Sequence, residues 1–422
     1  AGAGLFYDFL FPPLLDSERA LFGPPGLGRQ DISGSRLVNC LTGIPGVPMG
    51  TALNFPNSPT RFSGANLLAC LPAIQAELFR NLASADQALQ AIQLTKQAAT
   101  GIYPVKVRSS SALHLNLGIQ RELARNFVVS ADFAYRHFDH LGLLGLNQLD
   151  LNHFNSARGP VIPRCLNETQ RNDPQALCST GPINVQQAIG RATWKGLLVR
   201  ADKRFSNGFQ LLGSWAYSSN TGTNIGNGFN LDDLLSNRGP LPTDFTHIVN
   251  VAGVVHLRWR LQLGLNFSYT SAPPFSAFVG GSDFNGDGTT GDLLPGTTVN
   301  AFNRGMTRAN LETLVTQFNQ NYAGKVDGKG ALIPVLTLAG RYSFGDSFQS
   351  FDLRLSREFV FEKRWRLALI GEVFNLYNAA NLSGHNGNLT NAASFGQPTS
   401  RATQVFGSGG SRAFQLALRI SR

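Results

Sequence analysis

The feature that most constrains this chain is a side-chain alternation with a period of two that recurs along its length. In the last segment the apolar residues occupy every second position, namely Phe414, Leu416, Leu418 and Ile420. Because successive side chains of a β-strand point to opposite sides, such a segment has one apolar face and one polar face. The pattern recurs about nine or ten times in segments of roughly ten residues, the length that a tilted strand needs to cross a bilayer. The sequence therefore predicts an all-β protein whose strands span a membrane.

The composition argues against the other ways of crossing a membrane. Of the 422 residues 15% are charged, and the mean hydropathy is close to zero. No apolar run reaches the roughly 18 residues that a transmembrane helix needs. The net charge of +10 comes without a dense Lys/Arg run or a nucleic-acid-binding motif, so we expect no nucleic-acid partner. The positive charges either lie on loops, turns and a wet lumen or attract anionic lipid or an anionic ligand.

Strand candidates come in pairs that short turns join, and long connections link one pair to the next. The short turns are expected at 124–126, 206–208, 258–260 and 362–364. The long connections cover 11–108, 142–190, 220–244, 272–346 and 379–410. Outer-membrane barrels have this asymmetry, with short periplasmic turns and long external loops. The predicted fold is a transmembrane antiparallel up-and-down β-barrel, with about ten strands in this chain.

Two of the long connections carry helix-like patterns, and aromatic residues cluster near strand ends. One helix is expected within Ala73–Lys96, and Thr307 is expected to cap a second one. The apolar face of the second helix consists of Leu311, Leu314, Val315 and Phe318. The aromatic residues near strand ends are Tyr7, Phe127, Trp194, Tyr217, Trp259, Tyr269, Phe359, Trp365 and Tyr377. They either form the girdles of a membrane barrel or reflect the general preference of aromatic residues for strands.

The four cysteines form two close pairs in the sequence. Cys40 lies near Cys70, and Cys165 lies near Cys178, in stretches rich in Pro, Asn and Gly. An even number of cysteines in loops is typical of an oxidising compartment. We therefore expect two local disulfides, Cys40–Cys70 and Cys165–Cys178; the alternative is four free thiols.

One local motif suggests a metal site. In the segment 283–292, DFNGDGTTGD, oxygen-bearing side chains alternate at Asp283, Asn285 and Asp287 before a glycine. This spacing resembles the start of a calcium loop. Leu294 occupies the twelfth position, where a calcium loop has a bidentate Glu, and Asp292 is the candidate substitute. The segment either binds calcium or another hard cation or is an Asx-rich turn without an ion.

No residue pattern predicts catalysis, so the chain is not expected to be an enzyme. The sequence contains no HExxH, GxSxG or P-loop motif. His137 and His140 either contact an ion or lie at a solvent-exposed strand end. Charged residues also alternate on the predicted lumen face, namely Asp352, Arg354, Glu358, Arg366 and Glu372. We expect these charges to pair with one another or with a plug rather than to form acid–base pairs.

Several segments resemble the carboxy-terminal barrel half of TonB-dependent receptors. They are 117–136, 197–218, 283–292, 351–382 and 395–421, and the most specific ones are Phe374–Asn378 and the final strand. The resemblance is greatest to the large Oar-like group, which carries an amino-terminal carboxypeptidase-regulatory-like domain. It implies a barrel of about 22 strands with a plug in its bore, in the outer membrane of a Gram-negative bacterium. Residues 1–422 would then be the C-terminal portion of that barrel domain, without the signal peptide, the plug and the TonB box.

The resemblance also implies a function. External loops would capture an unknown ligand, and a TonB-type energy-transducing protein, acting through the missing amino-terminal part, would drive uptake across the outer membrane. The expected partners are therefore outer-membrane lipid, that protein and the ligand. The alternatives are a self-contained porin, adhesin or hydrolase barrel and a secreted all-β binding module with calcium-stabilised loops. The last residues, Ile420–Arg422, depart from the aromatic ending of the family, which trimming or natural variation would explain.

Overall fold

Ten long antiparallel strands form one sheet. The computed structural model describes residues 1–8, 101–102, 108–141, short pieces between 149 and 189, 190–223, 230–361, 365–402 and 407–421. The strands are β1 Gly2–Tyr7, β2 Ser111–Ala124, β3 Phe127–Leu141, β4 Gly190–Ser206, β5 Phe209–Thr223, β6 His247–His256, β7 Leu261–Thr270, β8 Phe348–Phe361, β9 Trp365–Phe374 and β10 Ala413–Ser421. The predicted strands are therefore confirmed.

The order of strands in the sheet follows their order in the chain. Each strand pairs antiparallel with the next one, from β1 to β10. A short strand, Arg238–Pro240, adds three residues beside the end of β5. This is the predicted up-and-down topology. Within the described part of the chain β1 pairs only with β2 and β10 only with β9, so the described sheet is open.

The turns between paired strands are as short as predicted, and in two of them asparagine or glycine occupies the positions with positive φ. Asn207 and Gly208 have φ of 52° and 81°, the conformation of the type I′ turn that matches the twist of a hairpin. Asn126 has φ of 63° between β2 and β3. The turn between β6 and β7 covers Arg258–Arg260, and in it Trp259 and Arg260 adopt positive φ of 62° and 57°. Residues 362–364 lie outside the described residues, but β8 and β9 pair up to their ends there.

One face of the sheet is a continuous apolar surface. Cross-strand pairing joins Leu117 to Phe133, Phe133 to Leu197, and Leu197 to Tyr217. The same face continues at the other edge, where Leu369 pairs with Leu418. These side chains face outward, since Leu117 is 64% exposed and Leu418 is 60% exposed. The predicted alternation is confirmed, and no described segment covers this face.

The opposite face carries polar and small side chains together with a minority of apolar ones. Pairs across neighbouring strands include His114 with Arg136, Asn250 with Ser268, Asn266 with Asp352 and Arg354 with Glu372. Trp194 also lies on this face, because it pairs with Arg136, whose guanidinium carbon is 5.4 Å from the centre of the indole ring. The interpretation of Trp194 as part of an aromatic girdle is therefore wrong: its position in the alternation turns it inward. Trp259, in the turn between β6 and β7, and Tyr217, which pairs with the first residue of β6, are both exposed.

The long connections contain short strands and a helix. Three small sheets consist of Phe278–Val279 with Asp292–Leu293, Leu382–Ser383 with Ser400–Arg401, and Gly101–Ile102, Asn184–Val185 and Leu149–Asp150. Helix α1 covers Arg308–Asn321, and a 3₁₀ turn covers Leu234–Ser236. Among the described residues, no helix is both long enough and apolar enough to cross a membrane. The predicted helix within Ala73–Lys96 lies outside the described residues.

The hydrophobic core lies in the long connections and not in the sheet. Two of these connections, residues 271–347 and 379–402, fold together and are called the loop lobe below. Its buried core consists of Phe275, Ala277, Val279, Leu294, Phe302, Leu311, Val315, Phe318, Ile333, Leu336, Leu389 and Phe395. The chain thus has an apolar sheet surface that no described residue covers, beside a lobe that buries its own apolar side chains.

Candidate functional site

Helix α1 gives the loop lobe a fixed framework. Thr307 caps the helix, since its hydroxyl accepts a hydrogen bond from the Asn310 amide and the Asn310 side chain accepts one from the Thr307 amide at 2.8 Å. This reciprocal arrangement satisfies two amides that the first turn leaves without partners. The helix buries Leu311, Val315 and Phe318, as the sequence predicts.

The acidic segment 283–292 lies against this helix. Phe284 extends from the segment to the helix, where its ring centre is 5.4 Å from that of Phe318 and 5.6 Å from that of Tyr322. At the other end of the segment, Asp292 pairs with Val279 in a short strand, and Leu294 is fully buried in the lobe core. Packing at both ends therefore fixes the position of the acidic side chains.

The backbone of the acidic segment folds around its own carboxylates. The two oxygens of Asp283 accept hydrogen bonds from the amides of Gly286 and Gly288, each at 2.8 Å. Asn285 accepts one from the Asp287 amide at 2.9 Å. Gly286 and Gly288 have φ of 80° and 90°, a conformation that costs little only for glycine. The glycines of the motif therefore permit the tight winding that brings the carboxylates together.

The structure brings three of the four predicted metal ligands into one buried cluster. Oxygens of Asp283, Asp287 and Asp292 lie within 4.8 Å of one another, and each of these residues is at most 1% exposed. The pKa of the Asp292 carboxyl is raised to about 7, mainly by burial and also by the neighbouring Asp287 and Asp283 carboxylates, against the lowering effect of hydrogen bonds from the amides of Asn285 and Phe284. Asn285, the fourth predicted ligand, lies in the same turn, but its side chain is exposed.

Two further loops contact the acidic segment. The Leu231 amide donates to Asp287 Oδ2 at 2.8 Å, and the Asp283 amide donates to Asp327 Oδ2 at 3.0 Å. Lys329 lies at the rim, where its Nζ is 3.4 Å from Asp283 Oδ2 and donates to the Gly288 carbonyl at 2.5 Å. The acidic segment is therefore the place where three loops and α1 meet.

A second polar network joins the sheet to both ends of the connection between β9 and β10, and it was not predicted from the sequence. Asp352 on β8 accepts hydrogen bonds from the Asn375 amide at 2.8 Å, from Ser350 Oγ at 2.8 Å and from Ser408. The Asn375 side chain donates to the Gly410 carbonyl at 2.5 Å, so the network ties the end of β9 to the start of β10. A signal was present in the segment after β9, where asparagines stand at three positions that all adopt positive φ, namely Asn375, Asn378 and Asn381.

Another contact fixes the loop lobe to the connection before β6. Arg304 Nε lies 2.6 Å from Asp244 Oδ2, and this aspartate is only 3% exposed. Asp244 also accepts the Asn220 amide at the end of β5 through Oδ1 at 2.5 Å. Because breaking such a buried pair leaves an uncompensated charge, we expect this contact to hold the lobe in a fixed position over the sheet.

The predicted lumen charges pair with one another across strands, with one exception. Arg354 Nη1 lies 3.5 Å from Glu372 Oε1, and Arg366 Nη1 lies 3.7 Å from Glu358 Oε1. Asp352 instead belongs to the network with Asn375. Arg354, Glu358 and Arg366 line a cleft of about 900 Å³ on the polar face near the short turns. The cleft is basic, because Arg419 and Arg260 also border it.

The remaining predicted site residues lie apart from these two clusters. His137 Nδ1 is 2.8 Å from Thr193 Oγ1, and its Nε2 is 3.1 Å from Asp139, so it is part of a polar strand end. His140 lies on the same strand with φ of 56°. Cys165 is buried and disulfide-bonded. Its predicted partner, Cys178, and the pair Cys40 and Cys70 lie outside the described residues, so both pairings stay predictions.

The pattern of strands and turns matches one known family. A profile described as an outer membrane beta barrel domain matches residues 38–415. The chain belongs to this family. The apolar face of its sheet is accordingly the lipid face of a β-barrel wall, the polar face lines the bore, and the protein is located in the outer membrane of a Gram-negative bacterium.

Solved structures of outer-membrane receptors resemble the chain over part of their length. The ferric-catecholate import receptor Fiu from Escherichia coli K12 is 11% identical with a TM-score of 0.37, covering 77% of this chain and 30% of the receptor. The outer membrane transporter YddB from Escherichia coli is 11% identical with a TM-score of 0.36, covering 77% and 34%. The ferric yersiniabactin uptake receptor FyuA from Yersinia pestis is 13% identical with a TM-score of 0.30, covering 64% and 25%.

The chain thus spans between 25% and 34% of the length of these three structures. No curated protein matches its sequence.

Proposed function

We propose that this chain is part of a TonB-dependent outer-membrane receptor of the Oar-like group. It would form the C-terminal part of the barrel wall and the loops that capture the ligand. The observation that carries the proposal is the open sheet, whose edge strands β1 and β10 have one partner each among the described residues. Unpaired strand edges are not tolerated in hydrocarbon. Further strands of a larger barrel would pair with both edges, as the sequence resemblance implies.

The inner face of the wall supports a plugged bore more than an open channel. Leu198 and Leu212 point into the bore and are 40% and 37% exposed, and Leu212 pairs with Ala252 on the same face. Exposed apolar area costs about 25 cal/mol per Å² in water. A folded plug domain that covers this apolar patch would remove that cost. The charged residues around the patch would pair with polar groups of the plug.

The loop lobe supports ligand capture at the outer surface. It lies at the end of the wall opposite the short turns, which is the external end in outer-membrane barrels. Its core is buried, and the ion pair of Arg304 with Asp244 holds it in place, so its surface is preformed. Preformed surfaces lose less conformational entropy on binding than flexible loops do. The proposed mechanism is ligand binding at this surface, followed by passage through the bore when the energy-transducing protein remodels the plug.

Uptake and conductance measurements test this function together. Cells that carry the protein are given a panel of radiolabelled ferric chelates, cobalamin and oligosaccharides, with and without a protonophore and with and without the energy-transducing protein. We expect uptake of at least one class of compound that stops when either energy source is removed. In planar bilayers, a plugged receptor conducts ions only after the plug is unfolded. A steady open conductance, or uptake that survives the protonophore, would instead support a self-contained porin.

The proposal includes no catalytic step by this chain. Its partners would be outer-membrane lipid on the apolar face, the energy-transducing protein through an amino-terminal part, and a ligand on the loop lobe.

A further inference from the structure

Three buried carboxylates of the loop lobe lack sufficient positive charge nearby. Asp283, Asp287 and Asp292 share a site in which their oxygens are within 4.8 Å of one another. Among the described residues the cation that pairs with them is Lys329, which is 3.4 Å from Asp283 at the rim. One positive charge does not balance three carboxylates in a desolvated place, which is costly unless a carboxyl is protonated or a further cation binds.

An independent observation identifies where a further cation would bind. Asp292 is 1% exposed, and its Oδ1 is a buried atom without any hydrogen-bond donor. Its other oxygen, Oδ2, accepts the amides of Phe284 at 3.0 Å and Asn285 at 3.2 Å. Main-chain amides therefore hold this carboxylate in one orientation and leave one oxygen free. Buried polar atoms in native proteins almost always have a partner, and a cation bound among the three carboxylates would be the missing partner.

The chemistry of the donors selects the class of cation. The candidate ligands are carboxylate oxygens, with the amide oxygen of Asn285 in the same turn, and the described cluster contains no histidine or cysteine. Soft or borderline metals such as zinc prefer nitrogen and sulfur ligands. Magnesium requires nearly ideal octahedral geometry and retains several waters, whereas calcium accepts irregular cages of oxygen atoms.

We propose that Asp283, Asp287 and Asp292, assisted by Asn285, form a calcium site that locks the loop lobe. Asp292 at the tenth position of the loop takes the place of the glutamate that calcium loops carry at the twelfth. The bound ion fixes the carboxylates of the segment 283–292, and hydrogen bonds of Asp287 and Asp283 connect this segment to the loops that contain Leu231 and Asp327. Its effect is structural: it fixes the outer surface on which a ligand binds, and it does not depend on which compound the barrel transports.

The first experiment measures calcium binding by the intact protein in detergent after treatment with EGTA. Titration calorimetry with calcium chloride is expected to show one site per chain, with a Kd of about 0.1–1 mM, the range of extracellular calcium modules. Magnesium chloride is expected to bind more weakly. Hydrogen exchange in the segments 280–294 and 325–332 is expected to slow when calcium is added. The absence of both a binding isotherm and a change in exchange would overturn the proposal without any variant, and it would leave the proposed transport function untouched.

A variant pair distinguishes an ion site from an Asx-rich turn. Asp292→Asn keeps an oxygen that can accept the amides of Phe284 and Asn285 but places an NH₂ group where Oδ1 stands. The variant is expected to bind calcium at least about tenfold more weakly, which corresponds to about 1.4 kcal/mol. Its Tm in EGTA is expected to equal or exceed that of the wild type, because a buried charge is removed, and its Tm in calcium is expected to fall below that of the wild type.

The matched control is Asp346→Asn, which changes a 41% exposed carboxylate of the same lobe and is expected to leave calcium binding unchanged. Asp287→Ala removes a second ligand and is expected to lose binding as well. If Asp292→Asn and Asp287→Ala both bind calcium with the wild-type affinity, the assigned ligands are wrong. If the Tm of Asp292→Asn falls by the same amount in EGTA and in calcium, the role of Asp292 is that of a turn residue and the proposal fails.

Discussion

The assignment of the two sheet faces can be tested by placing the same charge on adjacent residues of β6. Val251 lies on the lipid face, where it pairs with Gly213 and Phe267, and Ala252 lies on the bore face, where it pairs with Leu212 and Asn266. Both residues are near the middle of the strand. An arginine on the lipid face near the bilayer midplane costs about 2–4 kcal/mol in outer-membrane barrels. An arginine that faces an aqueous bore keeps its hydration, so we expect Ala252→Arg to cost less than about 1 kcal/mol.

The assay is the equilibrium between folded and unfolded protein in lipid vesicles, measured against urea by the fluorescence of the tryptophans. The cost of about 2–4 kcal/mol for Val251→Arg makes its folding equilibrium constant about 30- to 700-fold smaller than that of the wild type. Ala252→Arg serves as the matched control, because it adds the same side chain one residue away. Equal costs for the two variants, or a larger cost for Ala252→Arg, would refute the assignment of the faces and with it the membrane-spanning wall.

Three further predictions concern the loops and their attachment to the wall. Asp352→Ala leaves three hydrogen-bond donors without their acceptor and is expected to destabilise the protein by about 2–3 kcal/mol. Its control, Glu372→Ala, breaks an ion pair with a half-exposed arginine and is expected to cost about 1 kcal/mol or less. Urea unfolding measures the free energy of unfolding of both variants. Gly396→Ala places a side chain at a φ of 66° and its Cβ only 2.6 Å from the Cβ of Tyr342, so it is expected to lower the free energy of unfolding by about 3 kcal/mol. The control Gly407→Ala has a φ of 96° but no atom within 4 Å of the new Cβ, and it is expected to lower the free energy of unfolding by about 1–2 kcal/mol. Reducing agent is expected to change the gel mobility of the protein by opening the disulfide of Cys165, and a thiol at Cys165 that reacts with an alkylating agent before reduction would contradict this.

The wall could be predicted from the sequence because its signal is local and repeated. A period of two can be recognised in one strand without knowledge of its neighbours, and the Asn207–Gly208 pair predicts a hairpin turn without any other information. Up-and-down topology then follows, because each strand pairs with the next one along the chain. Trp194 shows the limit of this reasoning. Its residue type suggests a membrane interface, but its register with Arg136 turns it toward the bore.

The loop lobe could be predicted only in part, because its contacts join residues that are far apart in the sequence. Thr307 and the apolar residues of α1 were recognisable, since helix caps and helical periodicity are local signals. The contact of Phe284 with Phe318 and the ion pair of Arg304 with Asp244 were not, because no periodicity connects them. The acidic segment is intermediate: its motif suggested oxygen ligands, but only the fold shows that Asp292 returns to the cluster and is buried there.

The wall and the loop lobe depend on different sources of stability. The largest fully buried apolar side chains of the described residues, among them Phe302, Phe318 and Phe395, belong to the lobe, and none belongs to β1–β10. The wall is stabilised by hydrogen bonding between strands and by lipid on its apolar face, whereas the lobe is stabilised by apolar burial in water. It follows that detergent or lipid composition acts mainly on the wall and that calcium, if it binds as proposed, acts mainly on the lobe. The Asp352 network is one point where one part can affect the other, because its hydrogen bonds join β8 to both ends of the connection between β9 and β10, and the middle of this connection belongs to the lobe.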